Sequence, residues 1–198
     1  LSLCVLSKAL GIIDQFRQHN IAYPIAINLT GSDLLSDEFY NALIDIATHQ
    51  PHMLQMLSLE LTENSVIRHQ QPLFNKLLVL GRLGYDIALD DFGTGQASLS
   101  TLSQLPVSSI KLDKTFLQNI PANQRQTQLI QSVMQMAKTL KLQLILEGVE
   151  SDIQRRFLHS LGAQLMQGYY FSKPQPVAHW LTQLGQQHTN AVQQLVTE

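Results

Sequence analysis

The sequence lacks several features that define common protein classes. Its single cysteine, Cys4, excludes an internal disulfide and fits a reducing compartment. Cys4 lies in an apolar stretch that predicts a place in a helix core, and we expect no catalytic role for it. No apolar run approaches the length of a membrane span, and no signal-peptide pattern opens the chain. We therefore expect a cytoplasmic domain, which is compatible with a parent protein anchored in the inner membrane.

Clustered positive charge is also missing. The chain has 13 basic and 15 acidic residues, a net charge of −2 and no basic run. Duplex nucleic acid is therefore excluded as the main partner, because binding to its phosphates needs clustered Lys or Arg. The seven histidines show no His-x-His or His-Glu-x-x-His spacing, which argues against a zinc site of that kind. A small phosphate ligand held by metal ions remains compatible with this composition.

What is present is an alternation of strands and helices in one domain, residues 1–198. Nearly continuous apolar strands predict a parallel sheet that is covered by helices. Predicted strands cover residues 21–29, 56–61, 86–91, 107–112, 142–146 and 164–171. Predicted helices cover residues 1–18, 36–49, 74–82, 98–104, 124–140 and 152–161, with a last helix from about Val177. Pro51 is expected to stop the second helix, and Pro72 and Gly84 to bracket the third.

Six strands are two fewer than a (β/α)8 barrel contains, and such barrels typically need about 250 residues. We therefore predict an α/β fold of the TIM-like (β/α)8 type that is N-terminally truncated and lacks about its first two strands. The chain does not begin with Met, which also indicates a fragment of a longer protein.

Polar side chains follow each predicted strand at its carboxyl end, where barrel enzymes place their catalytic groups. Asp90 and Asp91 are adjacent, and because the chain turns there both can reach one cavity. Two neighbouring carboxylates raise each other's pKa unless a cation neutralises them. An N-terminal cap of the following helix is the alternative interpretation of this pair. Glu60 and Glu147 each follow a leucine-rich strand, where an unpaired carboxylate is costly.

Other polar residues at these strand ends allow more than one interpretation. Lys111 lies between two apolar residues of a buried strand, where it could orient a water or an anion, or extend its ammonium to solvent at the rim. Asn28 offers an oxygen ligand or is a turn residue, and Gln167 is the weakest candidate. Oxygen donors of this kind favour Mg²⁺ or Mn²⁺.

Taken together, these segments resemble the successive motifs of the EAL-domain family, the bacterial cyclic di-GMP phosphodiesterases. The resemblance runs from residue 1 to about residue 180 in the family's order and spacing. The matching motifs are Asn28-Leu-Thr, Glu60-Leu-Thr-Glu63, Asp90-Asp91-Phe-Gly-Thr-Gly, Ile-Lys111-Leu-Asp113, Glu147-Gly-Val-Glu150 and Gln167-Gly-Tyr.

The resemblance implies a barrel that opens one phosphodiester of cyclic di-GMP, giving linear pGpG, with Mg²⁺ or Mn²⁺. Asn28, Glu60 and Asp90 would ligate one metal, and Asp90 and Asp91 would hold the second. Lys111 and Glu147 would position and help deprotonate the attacking water. In two-metal catalysis the cations make hydroxide available near neutral pH and stabilise the attacking and leaving oxygens.

The resemblance also extends to supporting residues and partners. Gln167 would complete the site, and Asp113 and Glu150 would contact the substrate or support the metal ligands. Glu63 would tie down the loop after Asp91, which in the family links dimerisation to activity. A homodimer, and upstream GGDEF or sensor domains in the parent protein, are therefore expected.

The sequence departs from the family pattern in two places. The name-giving Glu-Ala-Leu segment, with its metal-binding Glu and following Arg, is absent, which predicts weak metal binding or no activity for the isolated chain. Gln96 and Ala97 replace the Tyr-Ser that the family often has. Two other functions remain open: a non-catalytic cyclic di-GMP receptor and an enolase-like barrel that performs metal-assisted proton abstraction. The adjacent Asp90-Asp91 pair and Asn28 fit a two-metal phosphodiester site better than the enolase-like one.

Overall fold

The computed structural model describes residues 1–95 and 99–185 and contains a parallel six-stranded sheet in the order β1-β2-β3-β4-β5-β6. The strands are β1 Ile25–Leu29, β2 Leu57–Thr62, β3 Asp86–Phe92, β4 Ser109–Leu112, β5 Gln143–Glu147 and β6 Leu165–Gln167. The helices are α1 Ser2–Gln18, α2 Gly31–Leu35, α3 Asp37–His49, α4 Glu63–Leu83, α5 Leu99–Gln104, α6 Gln124–Thr139, α7 Asp152–Ser160 and α8 at 177–185, and 3₁₀ helices cover Pro51–Met56 and Lys114–Leu117. The prediction of a truncated TIM-like α/β barrel is confirmed, because each strand pairs in parallel with the next along the chain.

The main core lies between the sheet and its helices. Leu59 and Leu61 of β2 form one buried cluster with Leu73 and Leu77 of α4. Since side chains alternate between the two faces of a strand, burial of the odd-numbered residues of β2 directs Glu60 and its even-numbered neighbours to the opposite face. The packing of the core thus determines which polar groups face the barrel interior.

The structure corrects the prediction that Cys4 lies in a helix core. Cys4 is in α1, but it is exposed. The buried stripe of α1 contains Leu6, Ala9 and Ile13, which recur at helical spacing. Cys4 precedes Leu6 by two residues, about 200° around the helix, and therefore lies on the opposite side.

The predicted limits of the third helix are wrong at its start. α4 begins at Glu63 rather than near Pro72, because the Thr62 hydroxyl accepts a hydrogen bond from the Ser65 amide and caps the helix there. Pro72 lies inside the helix, where proline typically costs about 3 kcal/mol. Complete burial of Leu73, Leu77 and Leu80 offsets this cost. The predicted stop is confirmed, since Gly84 has the left-handed φ of 101°.

Two predicted strands are shorter in the structure. β1 begins at Ile25 rather than at residue 21, because Pro24 has no amide hydrogen to donate to a ladder. β6 ends at Gln167 rather than at residue 171, because the chain turns there and the Tyr170 amide donates instead to the Val149 carbonyl.

Several short features differ from the prediction or lie outside it. Helix α2 was not predicted, and it starts at a capping box formed by Thr30 and Asp33. Pro51 ends α3 as expected but also opens a 3₁₀ helix. Residues 96–98, which include the Gln96-Ala97 departure, lie outside the described residues. Within the described ranges, no helix combines the length and the apolar character that a bilayer crossing requires.

Candidate active site at the carboxyl edge of the sheet

The strand register brings the predicted polar residues to one end and one face of the sheet. Asn28 is in register with Glu60, and Glu147 with Gln167. Thr62, two residues after Glu60, is in register with Asp90. The parallel arrangement therefore assembles groups that are far apart in sequence, as expected for the carboxyl edge of such a sheet.

Asp90 and Asp91 lie where the register between β3 and β4 shifts. Asp91 adopts a left-handed φ of 54°, which Asp tolerates better than most residues, and its amide donates to the Asp90 Oδ1 at 3.0 Å. A shift of this kind re-aims side chains. As a result, Asp90, Asp91 and Glu147 each place a carboxylate oxygen within 4.8 Å of the others. Neither aspartate is the N-cap of α5, so that alternative is wrong.

Lys111 is the centre of the site. Its residue is only 5% exposed, and its Nζ lies 2.9 Å from Glu60, 3.1 Å from Asp90 and 2.9 Å from Glu147. A side chain that extends its ammonium to solvent is therefore excluded. Burial by itself lowers the pKa of Lys111, but hydrogen bonds to Glu147 and Glu60 outweigh it and hold the pKa above the usual lysine value. The ammonium therefore stays charged and cannot act as a general base.

Negative charge exceeds positive charge at this site, since Glu60, Asp90 and Glu147 share the one ammonium of Lys111. The carboxylate of Asp91 lies beside those of Asp90 and Glu147 and adds a further negative charge. Burial raises the pKa of Glu147, and Asp90 and Glu60 add to the shift, whereas Lys111 opposes it. Burial likewise raises the pKa of Asp91, with the carboxylates of Asp90 and Asp113 adding to it. The single positive charge of Lys111 thus does not neutralise the negative charge of these carboxylates. An all-oxygen donor set with excess negative charge fits Mg²⁺ or Mn²⁺.

A cavity of about 340 Å³ opens beside the carboxylates. It is lined by Asp91, Asp113, Lys114, Glu147, Gly148, Glu150, Gln167, Gly168 and Tyr169. Burial raises the pKa of Asp113, but hydrogen bonds from Thr115 outweigh it and hold that pKa below the usual value. Two larger cavities, of about 660 and 780 Å³, have no acidic lining residue. The larger of them adjoins the cavity beside the carboxylates, because both are lined by Gln167, Gly168 and Tyr169.

Glu63 supports the loop after β3 rather than facing the carboxylates. It is 2% exposed, and its Oε2 accepts hydrogen bonds from the Gly93 amide at 3.0 Å and the Gly95 amide at 3.3 Å. A Cβ at Gly95 would lie 2.8 Å from Glu63 Oε1, so the loop approaches the carboxylate as closely as glycine allows. Glu63 is thus placed to fix the loop that follows Asp91.

The structure groups some residues differently from the sequence prediction. Glu147, predicted to position the water, bonds Lys111 and also belongs to the three-carboxylate cluster. Glu60, predicted to be a metal ligand, bonds Lys111 but is not part of that cluster. Asn28 is exposed beside Glu60. Sequence reasoning missed Lys114 and Tyr169 as cavity-lining residues. The signal that could have found them is their position directly after the Asp113 and Gln167-Gly motifs.

Comparison with known proteins places this arrangement in a family. The sequence model described as "EAL domain" matches residues 1–174. The chain belongs to the EAL domain family. It is 37% identical over 162 residues to the cyclic di-GMP phosphodiesterase RocR of Pseudomonas aeruginosa, covering 82% of this chain and 40% of RocR. The chain spans about a fifth to two fifths of the length of the curated relatives it matches first.

Solved EAL structures share the fold of this chain. The EAL domain of Mycobacterium smegmatis DcpA superposes with a TM-score of 0.83 at 28% identity, covering 92% of this chain and 82% of that one. The PaMucR phosphodiesterase, in complex with c-di-GMP, superposes with a TM-score of 0.76 at 27% identity, covering 90% of this chain and 75% of that one. The six strands thus correspond to most of an EAL barrel.

Proposed function

We propose that this EAL domain hydrolyses cyclic di-GMP to linear pGpG with Mg²⁺ or Mn²⁺. The observation that carries the proposal is the position of Lys111, which is buried and bonded to carboxylates from three different strands. A pure binding module needs no such concentration of incompletely neutralised acids. Family membership and the similarity to proteins named cyclic di-GMP phosphodiesterases support the same substrate.

Six groups of this chain take part in metal binding or water activation in this proposal. Asn28, Glu60 and Asp90 hold one divalent cation, and Asp90 and Asp91 hold a second. When bound, the two cations lower the pKa of a water molecule and stabilise the attacking and leaving oxygens of the phosphodiester. We further propose that a segment preceding residue 1 supplies the family's additional glutamate to this site.

Lys111 and Glu147 have different roles towards the attacking water. The permanently charged Lys111 donates hydrogen bonds that orient the attacking water and the carboxylates around it. Glu147, whose pKa is raised chiefly by burial, is a better proton acceptor than an ordinary carboxylate. Gln167 completes the site, and Asp113 and Glu150 border the cavity in which the nucleotide lies.

Regulation of the domain is expected to act through the loop after β3. Glu63 bonds the amides of Gly93 and Gly95, so movement of this loop is transmitted to Asp90 and Asp91. We propose that the protein is a homodimer in which this loop couples dimerisation to activity. We also propose a cytoplasmic location and upstream GGDEF or sensor domains, in line with the small share of its longer relatives that this chain covers.

The test is hydrolysis of cyclic di-GMP by the intact protein, with the product separated by chromatography across a range of Mn²⁺ and Mg²⁺ concentrations. Conversion to pGpG is expected, and Glu147→Gln and Asp90→Asn should abolish it. Asp37→Asn, which changes a carboxylate that is 91% exposed, serves as the control and should leave turnover intact. No conversion at any metal concentration would overturn the proposal, and calorimetric binding without turnover would indicate a receptor instead.

A further inference from the structure

Gln154, in the first turn of α7, has main-chain partners in two different loops. Its Oε1 accepts hydrogen bonds from the Glu150 amide at 2.9 Å and the Ser151 amide at 3.2 Å. Its Nε2 donates to the Leu117 carbonyl at 3.1 Å. A single side chain thus joins the loop after β5 to the 3₁₀ turn after β4.

The cap of α7 does not account for the bond from Gln154 to Leu117. Ser151 and Gln154 form a capping box, and reciprocal bonds of this kind satisfy amides at a helix start. The bond from Gln154 to Leu117, which is 37 residues away in sequence, satisfies no amide of α7. Leu117 is itself only 1% exposed, so the turn that it anchors is fixed to the core.

Both of the joined loops line the cavity beside the carboxylates. Asp113 opens the 3₁₀ turn, and Glu150 lies in the loop after Glu147. The loops are also tightly packed, because a Cβ at Gly148 would lie 2.3 Å from the Lys114 Cβ. The hydrogen bond from Gln154 to Leu117 therefore connects the two segments that bring Asp113 and Glu150 to the cavity.

The same loop is tied to the strand on its other side. The fully buried Val149 donates its amide to the Gln167 carbonyl at 3.0 Å and accepts from the Tyr170 amide at 3.0 Å. These bonds are made by the main chain. On the β4 side, by contrast, the side chain of Gln154 makes the hydrogen bond that joins the loop to the Leu117 carbonyl.

We propose that Gln154 is a positioning residue that fixes the separation of Asp113 and Glu150 and thereby the width of the nucleotide cavity. The inference rests on the proposed hydrolysis of cyclic di-GMP. Gln154 touches neither substrate nor metal in this role and acts through the two loops. Its loss is therefore expected to weaken substrate binding more than the chemical step, which appears as a larger change in KM than in kcat.

Two substitutions of Gln154, together with one control, distinguish the effect of the bond to Leu117 from the effect of the cap of α7. Gln154→Met removes both the acceptor and the donor at similar volume. Gln154→Glu keeps an acceptor for the Glu150 and Ser151 amides but cannot donate to the Leu117 carbonyl. Ser151→Ala is the matched control, because it weakens the cap of α7 and leaves the bond to Leu117 in place.

The variants are made in the intact protein and assayed for cyclic di-GMP turnover and for amide hydrogen exchange. Both Gln154 variants should raise KM roughly 10-fold or more, the scale seen when a supporting hydrogen bond is removed from a site. Exchange should become faster at the amides of residues 115–117 in both variants. Ser151→Ala should leave KM and these amides near their wild-type values.

Failure of this inference differs from failure of the proposed function. A wild-type protein that hydrolyses cyclic di-GMP, with Gln154 variants that match Ser151→Ala in KM, would overturn the positioning role alone. Unchanged exchange at residues 115–117 in both Gln154 variants would also overturn it, whether or not the protein is active. An inactive wild type would instead overturn the proposed hydrolysis.

Discussion

Replacement of Lys111 by methionine tests the electrostatic core of the site. The substitution keeps an unbranched side chain of similar length and removes the ammonium that bonds Glu60, Asp90 and Glu147 at 2.9–3.1 Å. These three carboxylates then face one another without a cation. We expect the metal-free protein to lose stability, because uncompensated charge in a buried site is costly.

The size of the expected loss in the free energy of unfolding depends on how deeply the three carboxylates bonded to Lys111 are buried. Removal of one partner of a buried ion pair typically costs about 3–5 kcal/mol. The three carboxylates retain side-chain exposures of 13%, 14% and 18%, so water recovers part of their solvation. We therefore expect the free energy of unfolding to fall by about 3 kcal/mol, the lower end of this range. The charge of Lys111 is complete at neutral pH, which lies well below the ordinary lysine pKa of 10.5.

The assay is urea-induced unfolding of wild type and variant with chelator present, near pH 7 and near pH 4. The loss should shrink at the lower pH, because Glu147 has a raised pKa and becomes protonated there. Arg17→Met is the control, because the side chains of Arg17 and its partner Asp14 are 45% and 54% exposed and the loss of stability should be at most about 1 kcal/mol. A Lys111 loss no larger than that of the control, or one that is the same at both pH values, would refute the reasoning.

Three further predictions follow from other contacts. Gly93→Ala should destabilise the protein by about 2 kcal/mol or more in urea unfolding, because φ is 93° and the new Cβ would lie 2.5 Å from the Phe116 ring; equal stability would contradict this geometry. Tyr85→Phe removes a buried hydrogen bond to the Leu43 carbonyl at 2.8 Å and should cost about 1–3 kcal/mol, and a smaller loss in the same assay would count against the bond. Affinity for Mn²⁺, measured by calorimetry, should weaken as the pH falls through the raised pKa of Asp91, since the ion needs this ligand as the ionised carboxylate; a pH-independent affinity would argue against Asp91 as a ligand.

Repeated local units made much of the fold predictable. Each strand of the parallel sheet follows its predecessor after one crossover, so apolar runs and their spacing identified six strands without knowledge of distant contacts. Helix boundaries were less predictable where two signals competed. Pro72 indicates a helix start, but the Thr62 cap and the burial of Leu73, Leu77 and Leu80 placed the start nine residues earlier.

The amino-acid sequence by itself determined that Asn28, Glu60, Asp90, Lys111 and Glu147 would meet at one edge, because the carboxyl ends of parallel strands coincide. Only the tertiary structure decided which of these groups touch. The ion pair between Lys111 and Glu60 joins residues 51 positions apart, and the approach of Asp91 to Glu147 depends on a register shift and a left-handed φ. Strand periodicity specifies a face and an edge, whereas distances of a few ångströms depend on how neighbouring strands and loops pack.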